Sequence, residues 1–248
     1  MKINIVSNDK RYEILNELLI ENGYDSRIVS FNDCNKADAL VLPIKSTISN
    51  AEYEKLSLMT DDGTFIFSPK TDMVEQYFKG KIIDYSQNED FLIENAYITS
   101  ECALGIIISS LNKTVSQSKI LVLGYGRIGK YLADMLFKLG ADVCIYARRN
   151  KKKYEAIEKG LSIKELSCVG EEHFDIIVNT VPERIIPKQQ SDKISKKTVV
   201  IDLASLPGGF EDENAARKAL ALPGKMKSES AARAIYDLID RYLSSERI

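Results

Sequence analysis

Histidine is almost missing from this sequence: His173 is the single one in 248 residues, so a multi-histidine metal centre is excluded. Cysteine is sparse as well. Cys34, Cys102, Cys144 and Cys168 show no paired spacing of the zinc or redox kind, which points to reduced structural thiols in a cytoplasmic protein. Neither sign of charge dominates, with a formal net charge of -2, so there is no basic field to attract nucleic acid and no acidic tail. Long apolar runs are lacking too. The opening Met1-Lys-Ile-Asn-Ile-Val6 is too short for a signal-peptide core, and the later apolar stretches read as far below a membrane span. Repeats and low-complexity segments are absent. What remains, 44% hydrophobic and 28% charged residues, is an ordinary globular composition, enough for one large core or two modest ones.

Short apolar runs alternate with longer amphipathic segments from end to end, the pattern of a parallel α/β architecture. In the first half the strand-like runs are Ile3–Val6, Ala39–Leu42, Thr64–Phe67 and Lys81–Ile83, with a helical segment at Tyr12–Ile20 closed by Gly23. In the second half they are Ile120–Leu123, Val143–Tyr146, Asp175–Val178 and Thr198–Asp202. Between the two series, Thr99–Leu111 reads as a helix capped by Thr99 or Ser100, with Ala103, Leu104, Ile107 and Ile108 as its apolar stripe. The last segment, Ser228–Leu243, aligns Ala231, Ile235, Leu238, Ile239 and Leu243 on one face. The expected organisation is an N-terminal substrate-side α/β domain over 1–98 and a linker helix over 99–113. A dinucleotide-binding domain over 114–227 would follow, then a C-terminal helix over 228–248 folding back on the first domain.

The chemistry sits in Ile120-Leu-Val-Leu-Gly124-Tyr125-Gly126-Arg127-Ile128-Gly129. Three glycines at this spacing arise by chance, but here they follow an apolar strand and open a helix with Ile128, Leu132, Met135, Leu136 and Leu139 expected inward. Gly124 allows the tight turn, Gly126 lets the backbone approach a pyrophosphate, and Gly129 lets helix and strand pack closely. The next strand ends in Tyr146-Ala147-Arg148-Arg149. An NAD site places Asp or Glu there, about 20 residues after the first glycine, to hold the ribose 2′-hydroxyl. Ala147 takes that place and two arginines follow, which suits the 2′-phosphate of NADP. A solvated run of charge is the competing account of the arginines. Asn179-Thr180-Val181-Pro182 and Asp202-Leu-Ala204-Ser205 close two further strands at the ends where open parallel sheets bind ligands. They are candidates to line the nicotinamide, or simply strand terminators.

At these residues the sequence resembles the A-subunit family of dipicolinate synthase. The glycine loop, Tyr146-Ala-Arg148, Asn179-Thr-Val-Pro182 and Asp202-Leu-Ala-Ser-Leu-Pro-Gly-Gly209 all carry the likeness. So do Phe91 to Ala103, Leu40-Val-Leu-Pro43 and Leu222-Pro-Gly-Lys225. The chain departs from the family in being shorter and in reading Ser228-Glu-Ser230 where Pro-Lys-Thr is usual. The resemblance implies a Rossmann-type parallel-sheet NADP-binding domain plus a smaller, flavodoxin-like N-terminal domain. It implies oxidation of a dihydrodipicolinate-type ring dicarboxylate during sporulation. The partner it implies is the flavoprotein-like B-subunit of dipicolinate synthase, with room for a homo-oligomer. Neither nucleic acid, membrane nor metal enters this reading. Glu101 is the candidate acid or base and Lys45 a second catalytic candidate, while Lys45, Arg184 and Lys225 could meet ring carboxylates. A first-turn carboxylate favoured by the helix dipole is the plain account of Glu101. His173 precedes its strand, on the side away from the site, and is expected at the surface. The alternatives are a 2-hydroxyacid or shikimate-type dehydrogenase, or a non-catalytic NADP-binding regulatory protein. The first normally needs a late histidine, which this chain lacks.

Overall fold

The structure, a computed structural model, describes residues 1–7, 9–31, 35–44, 48–69 and 72–245; Cys34 and Lys45 lie outside them. The chain forms two compact units, one of Met1–Asn95 with Pro223–Ile248, the other of Ala96–Leu222.

The first unit is built on five parallel strands: β1 (Lys2–Val6), β2 (Asp25–Val29), β3 (Ala39–Val41), β4 (Phe65–Ser68) and β5 (Lys81–Asp84). Their order, β2-β1-β3-β4-β5, is the flavodoxin-like one. Ile3, Ile5 and all of β3 are fully buried, because strands covered by helices on both faces are apolar throughout rather than alternating. Helix α1 (Lys10–Glu21) starts where the Asp9 carboxylate accepts from Arg11 N, and Gly23 follows its end at φ +82°. Helix α2 (Asn50–Ser57) opens on a capping box in which Glu52 accepts from Ser49 N at 2.7 Å. Leu40, Leu56, Met59, Ile66 and Val74, the last from α3 (Asp72–Tyr77), share one core cluster. The C-terminal helix, α9 (Ser228–Ser244), joins this unit. Its five expected apolar residues are all buried, and it packs on α1, with Tyr24 donating to Asp240 Oδ1 at 2.7 Å. Strand β2 is invisible to the periodicity because Asp25-Ser-Arg-Ile-Val forms a sheet edge with Ile28 exposed.

The second unit holds six parallel strands: β6 (Lys119–Leu123), β7 (Asp142–Tyr146), β8 (Ser162–Ile163), β9 (Ile176–Asn179), β10 (Val199–Asp202) and β11 (Arg217–Lys218). The order β11-β10-β9-β6-β7-β8, counted from β6, is the Rossmann order. The two-residue strands β8 and β11 are too short to carry a period. Between them run α5 (Arg127–Lys138), α6 (Asn150–Glu158) and the single turn α7 (Lys188–Ser191), followed by α8 (Leu222–Met226).

One expected helix is corrected. Helix α4 runs from Glu89 to Ser110, so there is no separate linker helix beginning at Thr99, and the division between the units falls inside α4. Neither glycine nor proline interrupts 89–98, and Asn88 supplies the cap by accepting from Phe91 N at 2.9 Å. Thr99 and Ser100 are interior and buried; Ser100 Oγ donates to Ala96 O at 2.8 Å and Ile128 O at 3.0 Å. By length and composition α4 is also apolar enough to cross a membrane, contrary to the reading of the runs, and 44% of its most apolar stretch is buried. Its apolar residues surround the helix instead of forming a single stripe: Ala103 and Ile107 are buried while Ile108 is exposed. Leu139, expected inward on α5, is exposed because the helix ends at Lys138 and Gly140 turns the chain at φ +83°.

Candidate functional site

The second sheet has its switch point between β6 and β9, where the chain leaves neighbouring strands in opposite directions and opens a crevice. The three glycines after β6 do three different jobs there. Gly124 sits at φ +101°, and a side chain on it would collide with Thr180 Oγ1. Thr180 in turn is pinned to β6 by donating from N (2.8 Å) and from Oγ1 (3.0 Å) to Leu123 O. Gly129 lies inside α5 against the carbonyl of Gly124, so a Cβ there would strike backbone. Gly126 differs: an added Cβ would meet nothing within 4 Å. No packing reason accounts for glycine at that position. The open space lies at the N-terminus of α5, where Gly126 is the N-cap and provides no side-chain cap bond. The N-terminus of α5 opens on that space, the arrangement that receives a phosphate.

A cleft of about 390 Å³ begins at this face. Gly124, Tyr125 and Gly126 form its floor; Ala147, Arg148 and Arg149 one wall; Thr180, Val181 and Pro182 the other. Ala147 is buried and offers no carboxylate where the ribose edge of a dinucleotide would lie. Arg148 is exposed and pairs with Glu183 Oε2 at 3.0 Å. Tyr125 is buried under Lys130, whose Nζ stands 5.6 Å from the ring centre, and burial pushes its hydroxyl above the usual phenol range. Lys152, Glu183 and Ile185 also line the cleft and were missed in the sequence. The only available signal was Lys152 falling one turn after the arginines.

Other expected cofactor residues stand behind the cleft rather than on it. Asp202 is buried and accepts three hydrogen bonds: from Asn179 Nδ2 at 2.7 Å, Ala204 N at 3.0 Å and Gly209 N at 3.0 Å. Asn179 also receives Val181 N at 3.1 Å and donates to Val181 O at 2.9 Å. This pair ties the ends of β9 and β10 together and fixes the loop bearing Thr180 and Val181. Glycine at 209 is required because any side chain would overlap Asn179. Ser205 is exposed, Ile128 packs its carbonyl against Ser100, and Arg127 points outward, none of them on the cleft wall.

Of the catalytic candidates, Glu101 does not line this cleft. It is exposed in the middle of α4, so the first-turn account of its carboxylate no longer applies. Lys45 is among the residues not described. Arg184 pairs with Glu213 at 3.4 Å, and Lys225 is exposed on α8. His173 is exposed at 3.8 Å from Asp175, before β9 and hence away from the glycine loop. The described cysteines are buried thiols; burial raises the Cys144 thiol and pushes Cys168 up to about 11.

The residues present fit a nicotinamide dinucleotide: a helix start behind a glycine turn, a glycine with open space, and a cleft at the switch point. Comparison with known proteins agrees. Residues 108–237 match the NAD-binding domain of the D-isomer specific 2-hydroxyacid dehydrogenases, and the chain belongs to that family. It is a dehydrogenase-type oxidoreductase that takes a nicotinamide dinucleotide. Within that class its likeness is to the A-subunit of dipicolinate synthase, in agreement with the resemblance of the motifs. The Bacillus subtilis (strain 168) protein is 25% identical over 98% of this chain and 96% of its own length. The crystal structure of the Bacillus subtilis dipicolinate synthase chain superimposes with a TM-score of 0.82 at 22% identity, covering 99% of this chain and 96% of that one. That of Bacillus halodurans gives 0.83 at 23%, covering 98% and 97%.

Proposed function

We propose that this protein is an NADP-dependent dehydrogenase that oxidises a dihydrodipicolinate-type ring dicarboxylate to dipicolinate. The observation that carries the cofactor half is the wall of the cleft, where Ala147 replaces the expected carboxylate and Arg148 and Arg149 follow it. The substrate half is supported by a likeness to the dipicolinate synthase A-subunit that runs through almost the whole chain. Bound in the cleft, the nicotinamide would accept a hydride from the ring. The glycine loop and the α5 start would hold the pyrophosphate, the arginines the 2′-phosphate, and Thr180, Val181 and Pro182 the nicotinamide end. Loss of the hydride must be matched by loss of a proton, for which Glu101, exposed on α4 outside the cleft lining, is the proposed acceptor. Arg184, between the cleft residues Glu183 and Ile185, is the cation proposed for a ring carboxylate. Since aromatisation itself drives the reaction, positioning is the main task left to the protein.

A flavoprotein-like second subunit is the partner that this reading expects, a homo-oligomer is compatible with it, and buried thiols suit a sporulating cell's cytoplasm. The family match also favours a second reading, a 2-hydroxyacid dehydrogenase. Against it, the one histidine of the chain is exposed on the side of β9 away from the glycine loop. Supplying enzymatically generated dihydrodipicolinate, NADP and the companion protein should yield dipicolinate by chromatography, and Glu101→Gln should slow it without weakening NADPH binding. Turnover of a 2-hydroxyacid, with dipicolinate no higher than the spontaneous background, would replace this reading by the second.

A further inference from the structure

The cationic end of the cleft reaches beyond the two arginines. The first turn of α6 holds Lys151, Lys152 and Lys153 and no acidic residue, and Arg149 at its N-cap makes no side-chain cap bond. Cations at that end oppose the helix dipole, which favours an anion there. Of the three lysines, Lys152 lines the cleft beside Arg148 and Arg149. Its Nζ lies 3.2 and 3.1 Å from the two carboxylate oxygens of Glu155. The same carboxylate pairs with Lys130 Nζ, reaching across from α5. Hydrogen bonds from Lys130 first and Lys152 second hold the Glu155 carboxyl below its usual range.

We infer that Lys152 is a further specificity-determining residue, a third cation for the cofactor's 2′-phosphate that Glu155 holds in reserve. The inference rests on the NADP reading above. A phosphate monoester carries about -1.5 to -2 charges at neutral pH against the single charge of a carboxylate, so it attracts Lys152 more strongly. Glu155 can release Lys152 without being left as a lone charge, because Lys130 stays on it. NADH carries no 2′-phosphate and gives Lys152 no reason to leave. Glu183 plays the corresponding part for Arg148 on the facing wall, at 3.0 Å. Each of the two cations thus has a carboxylate partner, Glu155 for Lys152 and Glu183 for Arg148.

The test is a fluorescence titration of NADPH and NADH against the full-length protein and its variants at fixed salt. Lys152→Ala should weaken NADPH about tenfold and move NADH by less than about twofold, while Lys152→Arg should retain most NADPH affinity. Glu155→Gln should tighten NADPH by about twofold to fivefold by freeing Lys152, and that gain should vanish in the Lys152→Ala background. A merely structural lysine would shift both cofactors alike. If the wild type prefers NADPH but Lys152→Ala changes both cofactors equally, or neither, the inference is overturned while the NADP reading stands. If the wild type shows no preference for NADPH, the NADP reading itself falls, and this inference with it.

Discussion

Replacing Gly126 and Gly129 separately by alanine should damage two different properties of the same loop. At Gly129 the new methyl group would be driven into the carbonyl of Gly124, with Thr180 Oγ1 at 3.3 Å behind it. Overpacking of that kind costs about 1–3 kcal/mol, and backbone as the obstacle puts it at the upper end. Alanine's helix preference over glycine returns roughly 1 kcal/mol inside α5, leaving a net loss of about 1–2 kcal/mol. At Gly126 the methyl group meets no protein atom within 4 Å and the backbone is at φ -81°, which alanine adopts freely. Stability should change by less than about 1 kcal/mol, the difference between glycine and alanine at an N-cap. The methyl group would, however, occupy the space through which the pyrophosphate approaches the first-turn N–H groups. Loss of two such charge-assisted bonds weakens NADPH by at least about a hundredfold. Urea unfolding followed by circular dichroism gives the first quantity, and NADPH fluorescence titration of the folded variants gives the second. A Gly126→Ala protein that binds NADPH as tightly as the wild type would refute the assignment of this loop, whatever Gly129→Ala does.

Three further outcomes follow from the same geometry. The double change Ala147→Asp with Arg148→Ser should reverse the cofactor preference from at least about tenfold for NADPH toward NADH, read by titrating both reduced forms, and added salt should narrow the wild-type gap. Asp202→Ala should destabilise the protein by about 3 kcal/mol or more in urea unfolding, because three buried donors, Asn179 Nδ2, Ala204 N and Gly209 N, lose their acceptor. The Tyr12 hydroxyl, buried and accepting from Ile44 N at 2.7 Å, is pushed up to about 12 by burial, above its value of about 10 in an unfolded chain. Its contribution to stability is therefore full below about pH 10 and lost as pH rises to about 12, and Tyr12→Phe should flatten that alkaline loss in unfolding measured across the range.

The sequence by itself determined the class of this protein. Buried parallel strands such as Ile120–Leu123 must be continuously apolar, and a glycine-rich turn between such a strand and an amphipathic helix has a local cause, so both are written in neighbouring residues. The replacement of a carboxylate by Ala147 with two arginines after it is likewise a statement about three adjacent positions. Three of the four edge strands escaped: β2 is polar, and β8 and β11 are two residues long, so their place depends on partners distant in the chain. The start of α4 escaped because the serine and threonine that resemble caps are buried along its length, and a tertiary contact, Ser100 to Ile128 O, uses the hydroxyl instead. Only the tertiary structure sorted the candidates by what they touch. Gly126 faces open space while Gly129 faces backbone, and Asp202 turned from a cofactor contact into the anchor of two strand ends. It also brought Lys152 to the cleft and set Glu155 between two lysines from different helices, because such a pairing depends on how α5 and α6 lie against the sheet and leaves no spacing in the chain to read.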